Sequence, residues 1–238
     1  MNQLYGEIDF PVDYPADLHI RLHTLAHNWF ILQNTASSLQ VDFDAAMKSV
    51  AYRYKTCIES GNAFGGSVQA DGDAPLPKVR YFQEREFFSC IVAGIACLEA
   101  LHYALFALGA SIDGSIFQFA NSQQQRKITP KLTQEVYAHF PNGRLVSAAL
   151  RQIQDSQEYL TWSTIRNVLS HRGLPGRIFS LRTKSSTKSS KPPSRYHPFA
   201  EIDGPEILPD TFLSLHSWLA GVLQNIFGAA MSLFTDPV

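Results

Sequence analysis

YFQEREFFSCIVAGIACLEALHYALFAL, residues 81–108, is the most apolar internal stretch of the chain. Glu84, Arg85 and Glu86 crowd its first turns, and beyond them Glu99 and His102 interrupt an otherwise apolar run. The length predicts a helix, and the interruption together with the scattered Ala and Gly residues favours the centre of a bundle over a membrane span. A carboxylate and an imidazole three residues apart are costly to bury unpaired. Glu99 and His102 are therefore expected either to pair with each other or to serve as orienting partners of a site elsewhere.

Towards the amino terminus, Leu18, Leu22, Leu25, Trp29 and Leu32 recur at three- and four-residue steps and predict an amphipathic helix from Ala16, after Pro15, to about Leu39. His19, His23 and His27 form one ridge on it. Two His four apart suit zinc, but no H-E-x-x-H arrangement and no third ligand type accompany them, so they read as placement beside the core. Asp42 or Asp44 is expected to cap a second helix through Met47, Val50, Tyr54 and Ile58 to about Ser60, ending at Gly61-Asn62. Residues 61–78 hold Gly65-Gly66, Asp71-Gly72-Asp73, Pro75 and Pro77, the composition of a connector loop.

On the carboxyl side, 111–129 is polar and irregular, with Ile116, Phe117 and Phe119 as an anchoring turn. Short helices follow over Pro130 to His139 and Arg144 to about Gln157, with a break expected near Asp155-Ser156. Next, Leu160, Ile165, Val168 and Leu169 form an apolar stripe that stops at Gly173, with Pro175 beyond. Arg177–Thr183 alternates like an edge strand, with Tyr196–Ile202 as its partner and a mobile Ser- and Lys-rich stretch between them. Asp210 is placed to cap a final helix to Phe234, with Phe212, Leu215, Leu219, Val222 and Ile226 inward. Ser214, His216, Ser217, Gln224 and Asn225 within it favour a buried helix or an oligomer interface over an anchor. The whole predicts an all-α, up-and-down bundle of about five to seven helices in one domain, 1–238. A small β-hairpin-like basic insertion at 174–205 precedes the last helix at 210–234.

Net charge is −1, which argues against a general nucleic-acid binder, but the distribution is uneven. Residues 166–195 carry eight Lys and Arg and no acid, leaving 12 of the 20 basic and all 21 acidic residues to the remainder. A cationic segment on an acidic body attracts a phosphate backbone at one place and limits binding elsewhere. Cys57, Cys90 and Cys97 lack metal-type spacing and suit a reducing compartment. The first residues show no basic region followed by an apolar run, so a secretory signal is not expected and the cytoplasm is.

The basic segment opens with Ile165-Arg166-Asn167-Val168-Leu169-Ser170-His171-Arg172-Gly173. Asn167 and His171, four apart, share a helix face; Arg166 and His171 are rotated by roughly 140° and need the long Arg side chain to converge. A His in a last helical turn is favoured as the cation, which suits proton transfer near neutral pH. Such a His can take a proton from a ribose 2′-hydroxyl, and a guanidinium can hold a phosphate oxygen and stabilise the transition state.

This Arg-Asn-x3-His arrangement resembles the R-x4-6-H motif of the HEPN superfamily, α-helical domains of which many are metal-independent ribonucleases acting as dimers. The resemblance implies an endoribonuclease in which His171 transfers the proton, Arg166 binds phosphate and stabilises the transition state, and Asn167 shapes the site. It implies ends bearing a 2′,3′-cyclic phosphate, and neither metal nor cofactor. One motif supplies one His, whereas cleavage needs a base and an acid, so a homodimer is expected to supply both. Arg172, Arg177 and Arg182 are candidates for binding the RNA backbone, with Glu99 and His102 as orienting partners. No membrane partner is expected. Two other classes stay open. One is a non-catalytic RNA- or nucleotide-binding module acting with an antitoxin-like partner protein; the other is a metal-dependent hydrolase using His19, His23 and His27. No G-x-G-x-x-G, P-loop, paired-cysteine or serine-elbow pattern suggests another chemistry.

Overall fold

The computed structural model describes residues 9–34, 37–71, 75–171, 176–178, 195–197 and 209–234; at 37, 168, 170–171, 176–178, 195–197 and 209–211 it describes the backbone alone. The described residues form an all-α bundle of eight α-helices: α1 (Ala16–Leu32), α2 (Ser37–Asp71), α3 (Pro77–Ile112), α4 (Ser122–Gln125), α5 (Pro130–His139), α6 (Arg144–Gln154), α7 (Gln157–His171) and α8 (Pro209–Met231). Short 3-10 turns at Pro141–Gly143 and Ser232–Phe234 complete it.

α2 and α3 form a long hairpin, and α3 is the axis of the molecule: from Phe87 to Ala110 most of its side chains are buried, including Cys90, Ile91, Leu98, Leu101 and Leu105. Its start lies earlier than the sequence suggests because Pro77 occupies the first turn, where a missing N–H costs nothing. α5 and α7 flank α3, and α8 closes the other side against α1, α2 and α6. Phe212, Leu215, Leu219, Val222 and Ile226 are buried, as their spacing predicts.

Three expectations are corrected. α1 ends at Leu32 rather than near Leu39, with Asn34 at φ 48° just beyond its end. α2 starts at Ser37, so Asp42 and Asp44 lie inside it and cap nothing; Asp44 instead receives a hydrogen bond from His23 at 2.9 Å. Most consequentially, the connector expected at 61–78 is helical as far as Asp71: Gly61, Gly65 and Gly66 are carried within α2 by its packing against α3. Tertiary burial outweighs the weak helix propensity of three glycines.

The break at Asp155-Ser156 is present, and Ser156 makes it: its hydroxyl donates to the Ile153 carbonyl at 2.7 Å and accepts the Tyr159 N–H at 3.2 Å, capping α7. The segments Gly176–Ile178 and Arg195–His197 pair antiparallel, Gly176 opposite His197. The insertion expected at 174–205 otherwise lies outside the described residues, as does the Asp210 side chain.

Candidate functional site

The site is built where α7 lies on α3. Trp162 is fully buried and its ring occupies the space over Gly94, where a Cβ would stand 2.4 Å from Cζ2. Beyond that contact, Arg166 of α7 meets Glu99 of α3. Gly94 is thus a notch that lets α7 approach closely enough for a salt bridge. Ile165 and Leu169 are buried on the same side of α7.

Arg166 Nη2 donates to Glu99 Oε1, and Nη1 donates to Asn167 Oδ1 at 3.1 Å. The guanidinium is partly exposed, with a side-chain exposure of 29% against 50% for Glu99. Two partners orient the fork and leave further N–H donors on it for an anion. Half-buried Tyr159 borders the pair: burial raises its phenol, the Glu99 carboxylate raises it further and Arg166 opposes.

The structure therefore brings Glu99, Arg166 and Asn167 together. The α7 backbone reaches His171, whose side chain, like those of Arg172, Arg177 and Arg182, lies outside what is described. His102 goes elsewhere: it is 1% exposed, and neither ring nitrogen has a hydrogen-bond partner among the described residues. Burial alone lowers its pKa to about 4, so it is neutral at pH 7.

The α1 histidines bond to three different partners. Two of them, with Leu22, Ala26 and Phe30, form the buried face of the helix, while Leu32 faces out. His19 bonds the Tyr14 hydroxyl, His23 bonds Asp44, and His27 bonds the Gln40 side-chain amide at 2.8 Å. Burial, and secondarily the neighbouring His23, lowers the His19 pKa to about 3.

Sequence spacing passes over a second constellation. Cys57 on α2, Cys90 on α3 and His216 on α8 meet in the core, all three buried, with their donor atoms within 4.8 Å of one another. Separations of 33 and 126 residues carry no motif, so only the packing of three helices reveals it. No family model matches the chain, nor does any curated protein or solved structure.

Proposed function

We propose that this protein binds RNA at the Arg166–Asn167 cluster and cleaves it without metal chemistry. The observation that carries this reading is the Glu99–Arg166–Asn167 contact: a partly exposed guanidinium held from two sides at the start of the chain's cationic segment. Arg166 holds a non-bridging phosphate oxygen and stabilises the added charge of the pentacoordinate transition state. His171, about one and a half turns further along α7, accepts the 2′-hydroxyl proton. The oxygen then attacks phosphorus, the P–O5′ bond breaks, and a second His171 across a two-fold dimer axis protonates the leaving 5′-oxygen, giving a 2′,3′-cyclic phosphate. Arg172, Arg177 and Arg182 supply backbone contacts.

The test is cleavage of a mixed RNA pool by purified protein, with and without EDTA, beside Arg166→Ala and His171→Ala, with folding followed by circular dichroism. Cleavage that persists in EDTA and disappears in both folded variants supports the proposal. RNA that is bound but left intact overturns catalysis and favours an RNA-binding module that works with a partner protein.

A further inference from the structure

We infer that Cys57, Cys90 and His216 form a buried site for one thiophilic divalent metal ion, zinc by preference, that ties α2, α3 and α8 together. The site shares no residue with the Arg166 cluster, so it stands or falls independently of the proposed RNA chemistry.

Two of the three separations are those of a tetrahedral zinc site. Zinc bonds of roughly 2.3 Å to sulfur and 2.0–2.1 Å to imidazole nitrogen, at tetrahedral angles, place two sulfurs about 3.8 Å apart and sulfur and nitrogen about 3.6 Å apart. The Cys57 and Cys90 sulfurs are 3.7 Å apart, and Cys90 Sγ is 3.5 Å from His216 Nε2. The third edge closes within 4.8 Å. A disulfide has a far shorter S–S separation, roughly 2.05 Å, so the two thiols stand at ligand spacing and not at bonding spacing.

The surrounding helix is shaped for this approach. Gly61 lies buried inside α2, where glycine costs about 1 kcal/mol relative to alanine. A Cβ there would stand 2.4 Å from His216 Cε1, 2.5 Å from Nε2 and 3.3 Å from Cys90 Sγ. Glycine at this position is what lets the imidazole lie against the two thiols.

Charge balance also suits a buried ion. Binding releases two thiol protons to solvent, and the two thiolates cancel the dication, so the loaded site is neutral apart from its polar bonds. Soft sulfur with imidazole selects zinc over magnesium or calcium. Three protein donors leave a fourth position for water. His216 also forms part of the wall of a cavity of about 500 Å³ bordered by Asp9, Asp13, Lys55, Glu59 and Ser217, which brings open space and polar groups up to one ligand of the site.

The experiment is titration of metal-free, reduced full-length protein with Co²⁺ and then Zn²⁺. One equivalent of Co²⁺ is expected to produce thiolate-to-cobalt charge transfer and tetrahedral ligand-field bands, which one equivalent of Zn²⁺ erases. X-ray absorption of the zinc-loaded wild type should show two sulfur ligands with nitrogen or oxygen completing the shell, a reading that needs no variant to fold. Cys57→Ser and Cys90→Ser should abolish the charge-transfer spectrum, while Cys97→Ser, buried but outside the trio, retains it. Absence of the cobalt spectrum in folded wild type, a shell without sulfur, or an unchanged spectrum in folded Cys90→Ser overturns the site.

Discussion

His102 is a buried imidazole with no partner among the described residues, and its energetics follow from that. Its folded pKa of about 4 lies below the unfolded value of about 6.5, so between these limits the unfolded chain binds more protons. Stability is therefore full above about pH 6.5 and falls as the pH drops towards 4, by about 3 kcal/mol from this group. His19 works in the same direction. Replacing His102 by Leu removes an unsatisfied polar ring and keeps the volume, so stability at pH 7 should be equal or higher. Denaturant unfolding between pH 4 and 7 should show a shallower acid limb for His102→Leu than for wild type.

Glu99 is the opposite case, an exposed carboxylate that accepts a hydrogen bond from Arg166. Its pair with Arg166 contributes no more than about 1 kcal/mol to folding, because solvent screens it. Glu99→Gln should leave the unfolding midpoint nearly unchanged. If Arg166 acts on phosphate, the same change should lower cleavage on the order of ten- to a hundredfold through loss of orientation. Steady-state kinetics beside a thermal melt separates the two effects.

At the scale of the helix, the glycines of α2 and α3 divide by what surrounds them. Nothing lies within 4 Å of a Cβ built at Gly65 or Gly66, and both lie inside α2. Gly66→Ala should therefore stabilise the protein by roughly 0.5–1 kcal/mol, through helix propensity and a less free unfolded chain. A connector loop at 61–78 would show no such gain. Gly94→Ala should do the reverse. Its methyl meets the Trp162 ring at 2.4 Å, so α7 must shift, at a cost of about 1–3 kcal/mol. The shift should also part Arg166 from Glu99. Denaturant unfolding reads the first effect; if Arg166 acts on phosphate, reduced RNA cleavage reads the second.

At the scale of the whole molecule, two helices among the described residues are long and apolar enough to cross a membrane by length and composition, Pro77–Ile112 and Phe212–Phe234. The apolar window of the first is 72% buried by the bundle, which accounts for its composition as core. The second is 39% buried, and its outward positions are mainly Ser214, Ser217, Gln224, Asn225 and Gly228, with Leu213 as the large apolar exception. Charge is organised at the same scale, with the basic segment 166–195 set against an acidic remainder. If the basic segment binds RNA, changing Lys184, Lys188 and Lys191 together to Ser should weaken that binding and flatten its salt dependence, by about 0.7 in slope for each phosphate that is no longer neutralised. Filter binding from low to high salt measures both.

Periodicity and punctuation in the chain alone determined the helical class, the central place of 81–108 and the inward face of α8, while the break expected at Asp155-Ser156 was settled by the Ser156 cap. Each is a local property: side chains three or four apart share a face, and Ser beside a helix start finds its own backbone. Glu99 could be singled out as a charge that needed a partner, but the choice of Arg166 over His102 required the notch at Gly94 to bring α7 down onto α3. Local composition pointed the wrong way at 61–71, where glycines read as a loop and packing against α3 made a helix. The meeting of Cys57, Cys90 and His216 was decided only by tertiary structure, because three helices far apart in sequence each contribute a single donor and no local spacing records which faces will be brought together.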